Sequence, residues 1–201
     1  MIVNSKMPEV IADNLPLNPE EFCYVVYMPI KVGKRVSPPS NLFWVWPLID
    51  SIKNKDWVGF DYWYLTVKHM WIQEGYGNRE GWHIDSFGTD DVNYIWSDCI
   101  PTEFSVQEFD LSSDHDISME QMTTQAKAHN SVKFKDNTLL RLDNTMVHRP
   151  SYIDKPVLRT FIKVSCSNHI YNLKGNATNP NLDTSSWVMK ERTPTRNHPI
   201  K

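Results

Sequence analysis

Gly81-Trp82-His83-Ile84-Asp85-Ser86-Phe87 and Thr145-Met146-Val147-His148-Arg149-Pro150 are the stretches on which the reading of this chain turns. In the first, a histidine and a carboxylate stand two positions apart in an apolar, strand-like context. Successive side chains of a strand alternate faces, so His83 and Asp85 project to the same side. Trp82 and Phe87 imply a buried setting, where an ionised aspartate needs a metal or a hydrogen-bonded charge as partner. In the second stretch His148 supplies a third possible ligand. Two imidazoles and one carboxylate form the facial set that holds a non-haem Fe(II) and leaves positions open for a co-substrate and oxygen.

The flanking sequence is strongly β. Tyr62 to Lys68 alternates, with Trp63, Leu65 and Val67 on one face and Tyr62, Tyr64, Thr66 and Lys68 on the other. Phe22 to Met28, rich in β-branched and aromatic residues, reads as a strand despite the helix-start chemistry of Asn18-Pro19-Glu20-Glu21. Val92 to Trp96, Thr102 to Phe109, Val132 to Phe134, Thr138 to Leu142, Met146 to His148 and Val157 to Val164 complete the strands. Lys31 to Asn41 reads as a loop. Short helices are expected after Pro47 and from a capping box at Ser118-Met119-Glu120-Gln121 to about Lys127. Asp110 to Asp116, including Asp114-His115-Asp116, reads as a solvated loop. Many short strands between turns indicate a mainly β sandwich or jelly-roll with few helices.

Arg159 stands eleven residues beyond His148. The pattern His83-x-Asp85, His148, Arg159 resembles the Fe(II)/2-oxoglutarate-dependent dioxygenases over Trp57 to Cys166. The resemblance implies a double-stranded β-helix (jelly-roll) carrying the triad, with Arg159 gripping the far carboxylate of the co-substrate through its planar fork of donors. It further implies 2-oxoglutarate and O2 as co-substrates, succinate and CO2 as co-products, and hydroxylation of a small molecule or a single residue or base. Asp85 argues against a halogenase, whose relatives carry a small residue there. Many relatives place a hydroxyl residue two positions after the arginine, and here that position is Phe161. The hydroxyl partner must come from elsewhere, or another arginine, Arg149 or Arg141, takes the role. Tyr64 and Tyr94 are the aromatic candidates for contacts to the co-substrate, with Tyr62 and Lys68 on the face that bears Tyr64. Two other readings stand beside this one: a cupin-like metalloprotein that does not use 2-oxoglutarate, and a non-catalytic β-sandwich binding module whose histidines are structural.

Composition sets outer bounds. A length of 201 residues, 40% hydrophobic, suits one folded domain. It divides into an arm over 1–21, a catalytic domain over 22–168 and a polar, basic tail over 169–201 that includes Lys174, Lys190, Arg192, Arg196 and Lys201. A formal charge of −3 gives no overall attraction to nucleic acid or an anionic membrane. No apolar run approaches the ~20 residues that span a bilayer. Met1 to Lys6 lacks signal-peptide layout, and Cys23, Cys99 and Cys166 are odd in number without C-x-x-C spacing. A cytoplasmic protein with reduced thiols is expected. His69, His129, His169 and His198 have no spaced carboxylate partner. Gln107 to Asn130 is the candidate cover of the metal-bearing mouth. Its acids Asp110, Asp114 and Asp116 would repel a polyanion, which argues against duplex DNA as substrate.

Overall fold

The computed structural model describes residues 1–192. Twelve strands lie in this region: β1 (Ile2–Asn4), β2 (Glu9–Ala12), β3 (Cys23–Val32), β4 (Arg35–Val36), β5 (Tyr62–Ile72), β6 (Val92–Ser97), β7 (Glu103–Ser105), β8 (Glu108–Asp110), β9 (Ser131–Lys133), β10 (Leu139–Leu142), β11 (His148–Arg149) and β12 (Val157–Ser167). Two short helices accompany them, α1 (Trp46–Asp56) and α2 (His115–Gln125). The protein is mainly β, and its sheets are antiparallel. The largest has seven strands in the order β2-β10-β6-β12-β5-β3-β4, the second three in the order β11-β7-β9, and β1 pairs with β8.

The alternation along β5 and β12 sets the layers. Trp63, Leu65 and Val67 of β5 join Ile162, Val164 and Cys166 of β12 on one face of the large sheet. There α1 covers them with Leu48, Ile49 and Ile52, and Pro47 lies in the first turn of that helix, where its missing N–H costs nothing. The opposite face presents Phe161 and Ile95, which pack against Phe104 of the small sheet and Leu140 and Leu142 of β10. A third cluster joins Met122 of α2 to Trp82, Ile84, Phe109 and Val147. The cavity described below opens between these layers.

Several local expectations need correction. The stretch from Gly81 to Phe87 is not a regular strand: it makes a single bridge, His83 to His148, bounded by Gly81 at φ 88° and Ser86 at φ 61°. These left-handed residues bend the chain before it can continue a ladder. Thr102 to Phe109 is two strands in different sheets, not one. Strand β3 runs on to Val32, so the loop expected from Lys31 begins later and holds β4. The cap of α2 is Asp114, whose carboxylate accepts from the backbone N–H groups of Asp116 and Ile117 at 3.0 Å each. Ser118 lies inside the helix, fully buried, and donates to the His115 carbonyl. Asp114-His115-Asp116 is thus a helix start, favoured because the carboxylate satisfies orphan amides.

The segment read as an arm contributes two paired strands, and buried Ser5 accepts from the Val147 amide next to His148. Past β12 the chain packs back on the domain through buried Tyr171, Leu173, Asn179 and Leu182. Arg196, His198 and Lys201 lie outside the described residues.

Candidate metal centre

His83, Asp85 and His148 offer ligand atoms that all lie within 4.8 Å of one another. The bridge between the two histidine segments brings them together: each residue's amide donates to the other's carbonyl at 2.9 Å. Each imidazole is then oriented from behind. Nδ1 of His83 donates to the Gly81 carbonyl at 2.9 Å, and Nδ1 of His148 to the Met146 carbonyl at 3.0 Å. These carbonyls can only accept, so each Nδ1 carries a proton and Nε2 is the ring atom left for the centre. On the outer side, the neighbours in sequence close a clasp. Arg149 lies 4.4 Å over the Trp82 ring and donates to Glu103 at 2.9 Å.

Electrostatics keep His83 and Asp85 in the forms that can ligate a cation. Burial, and then the neighbouring His148, push the His83 imidazole down to about 3, so it is neutral at physiological pH. Burial alone would raise the Asp85 carboxyl, but Lys163 and the two histidines hold it well below the usual carboxylate range. The Lys163 ammonium sits 3.0 Å from Asp85 Oδ2 and donates to the Tyr27 hydroxyl at 2.8 Å. Burial disfavours that ammonium, yet Asp85 and Tyr27 raise its affinity for the proton overall.

The triad lines a cavity of about 270 Å³ that also takes in Thr66, Lys68, Arg79, Phe87, Asn93, His115, Phe161, Lys163 and Tyr171. This is near the small end of the roughly 300–1,000 Å³ usual for ligand pockets. Among the described residues Asp85 is the one acid in its lining, against Lys68, Arg79 and Lys163. Lys68 Nζ donates to the Gly77 carbonyl and the Asn78 side chain, and burial, then Lys163 and Arg159, lower its proton affinity. Of the segment Gln107 to Asn130, only His115 reaches the cavity wall. Asp110 pairs with the Met1 ammonium and Asp114 caps α2, so the acids expected at the mouth do not line it.

The structure unites His83, Asp85 and His148 but not the other candidates. Arg159 shares a strand face with Phe161 and Lys163, yet its guanidinium donates to the carbonyls of Cys99 and Ile100 at 3.0 Å each and does not line the cavity. Tyr94 points into the core under α1, where its hydroxyl donates to Asp56, also the partner of Arg141. Tyr64 faces the cavity side of the sheet but stacks beneath Tyr171 and donates to the His169 carbonyl at 2.8 Å. Arg149 is engaged by Glu103. The residues that sequence reasoning missed are Lys163 and Tyr27. Lys163 was signalled by parity with Arg159. Tyr27 was not: it sits at a bulge in β3 between Val25 and Met28 with φ 47°, held by Thr66 Oγ1 at 3.1 Å. A bulge shifts parity, and a bulky residue at positive φ persists only where its surroundings enforce it, which is common at functional sites.

Comparison of the chain with protein-family models, with curated proteins and with solved structures finds no significant match.

Proposed function

We propose that this protein is an Fe(II)- and 2-oxoglutarate-dependent oxygenase whose two facing sheets form a double-stranded β-helix. The observation that carries the reading is the triad itself. Two imidazoles with Nε2 turned inward and one ionised carboxylate converge from one bridged pair of segments, a donor set that suits Fe(II). His83, Asp85 and His148 would hold the ion. With 2-oxoglutarate and O2, the bound iron supplies an oxidant able to hydroxylate a C–H bond, yielding succinate and CO2.

The rest of the work falls to the pocket. Lys163 and Lys68 lie on the inner face of the large sheet, diagonal to one another across the β12–β5 ladder. We assign them the carboxylate-gripping role first expected of Arg159, because their ammonium groups reach the cavity and the guanidinium does not. The hydroxyl absent at Phe161 is supplied by Tyr27, bonded to Lys163, and by Thr66, opposite it in the ladder. Ser165 donates to Asn93 at 2.6 Å, and Asn93 donates to Ser86 at 2.8 Å, which ties the loop after Asp85 to the sheet. The cavity's size favours a small molecule or a single residue or base over a duplex. A reducing, cytoplasmic setting fits the free thiols of Cys23, Cys99 and Cys166, and no helix among the described residues is long and apolar enough to cross a membrane.

A second reading has one observation in its favour. Arg159 is turned away, so a metalloprotein of similar build that does not use 2-oxoglutarate would need no change in its geometry. Anaerobic Fe(II) titration with and without 2-oxoglutarate separates the two. The visible charge-transfer band of the chelate should appear only with both, and alanine at His83, Asp85 or His148 should abolish it with the iron. Iron binding without a band in the presence of 2-oxoglutarate favours the second reading. Undiminished metal content in all three alanine variants defeats both.

A further inference from the structure

The charges that line the cavity exceed what the metal and its proposed co-substrate require. Among the described residues Asp85 is the one acid in the lining, and the Lys163 ammonium, 3.0 Å from its Oδ2, answers it. A divalent ion and the dianion 2-oxoglutarate cancel each other. Lys68 and Arg79 remain on a wall that carries no further acid. Burial, then the charges of Lys163 and Arg159, lower the proton affinity of Lys68, as gathering like charges does. A cleft lined by one sign of charge draws in and concentrates the opposite sign.

The donors divide the work. An ammonium has three N–H groups. Those of Lys163 serve Tyr27 and Asp85, and those of Lys68 serve the Gly77 carbonyl and Asn78 Oδ1, which leaves one apiece for the far carboxylate of the co-substrate. A second anion falls to Arg79, whose planar fork of five N–H donors can take a carboxylate while keeping other contacts. The bonds from Lys68 to Gly77 and Asn78 tie down the loop that leads into Arg79. Burial, then His148 and Arg79, disfavour a proton on His83, so the guanidinium charge lies near the triad. Arg79 is exposed, as is Tyr24 at 65%, whose ring lies 5.9 Å from Lys68 Nζ, so both stand at the mouth. Further in the wall is apolar, with buried Phe87, Ile95 and Phe161 beside the triad.

We propose that the substrate is a small organic acid, its carboxylate held at the mouth by Arg79 and its apolar body reaching inward to the triad. The role as substrate rests on the oxygenase reading, whereas the binding of the acid does not. On that reading one oxygen atom of O2 converts a C–H bond of the acid to C–OH. The other enters succinate as 2-oxoglutarate loses CO2. The acid keeps its charge throughout, so Arg79 anchors it without taking part in the bond changes. The apolar wall turns the hydrocarbon end, and not the carboxylate, toward the metal ligands.

Benzoate is a suitable probe, with benzamide as its uncharged isostere. Each is titrated by calorimetry into the Co(II)-loaded protein, with and without saturating 2-oxoglutarate. Benzoate should bind in both cases, and benzamide roughly 10-fold or more weaker, the worth of one charge-assisted hydrogen bond. Arg79→Gln should weaken benzoate by a similar factor and Arg79→Lys should restore part of the loss, while neither moves the affinity for 2-oxoglutarate comparably. Benzoate displaced by 2-oxoglutarate would show that a single acid uses all of these cations and would overturn the proposal. Benzamide bound as tightly as benzoate, or benzoate indifferent to Arg79→Gln, would overturn it as well. Benzoate held through Arg79 by a protein that does not bind 2-oxoglutarate would uphold the acid site and count against the oxygenase reading instead.

Discussion

Lys163→Met should weaken the metal-free protein and tighten its hold on metal. Lys163 and a metal ion make competing claims on Asp85, since the ammonium now lies 3.0 Å from Oδ2 with side-chain exposures of 11% and 21%. Removing one member of a buried ion pair typically costs ~3–5 kcal/mol, because the remaining charge is left uncompensated. Asp85 keeps His148 Nε2 at 3.7 Å and some contact with solvent, which places the cost at the lower end, about 3 kcal/mol. At roughly 2–4 °C per kcal/mol for a chain of this size, the metal-free melting temperature should fall by about 6–12 °C. A bound divalent ion takes over the charge of Asp85 and removes most of that penalty. By linkage, recovery of half of the deficit on metal addition requires about tenfold tighter metal binding by the variant. Co-substrate binding should move the other way, weaker by roughly 30-fold or more, because a carboxylate loses its partner. Thermal unfolding with and without Co(II), with titration calorimetry for metal and 2-oxoglutarate, reads all three quantities. Metal affinity that falls together with 2-oxoglutarate affinity would refute the competition and make Lys163 a structural support of the triad.

Other outcomes follow from single contacts. Arg159→Leu leaves the Cys99 and Ile100 carbonyls without their donor and should destabilise the fold by ~2–4 kcal/mol in urea unfolding. The chelate titration should be unchanged, and a large rise in the 2-oxoglutarate requirement would return the gripping role to Arg159. Asp114→Ala removes the cap of α2 and should cost about 1 kcal/mol, read as faster hydrogen exchange in the first turn of that helix. Burial would raise the Glu103 carboxyl, but bonds from Arg149 and Ser131 carry it below its ordinary value of 4.5. Its contribution is therefore present above that value and lost as pH falls through the lower folded one. Glu103→Gln should flatten the acid limb of the stability curve, and an unchanged limb would show that the Arg149 pair adds nothing.

Strand existence was legible wherever alternation met β-branched or aromatic residues. Tyr62 to Lys68 and Val157 to Val164 became the paired centre of the large sheet because their two faces meet different layers, α1 outside and the cavity inside. Helix α1 was legible from Pro47. Boundaries failed where a local bond outweighed the pattern. The capping box at Ser118 satisfied the sequence rule, yet Asp114 lies earlier and captures two amides, so the helix starts there. The pairings of β1 with β8 and β2 with β10 had no signal, since strands of three and four residues without clear alternation take their register from the partner.

The site divides along the same line. Parity groups His83 and Asp85 even though their segment makes one bridge instead of a ladder, because two residues of extended backbone suffice to put both side chains on one side. His148 was proposed by residue type and order, and the bridge to His83 sets it beside them. Arg159 shows what parity cannot supply. Arg159, Phe161 and Lys163 share a face, but an extended chain advances ~3.3 Å per residue, so Arg159 and Lys163 stand about 13 Å apart along the strand. Only the structure shows which of them is level with the triad: the residue bonded to Asp85 is the one the spacing rule passed over, and the favoured arginine meets the carbonyls of the chain beyond β6. Spacing along a sequence chooses a face. The register of the neighbouring strand, with Thr66 opposite Lys163 and Met70 opposite Arg159, chooses the depth.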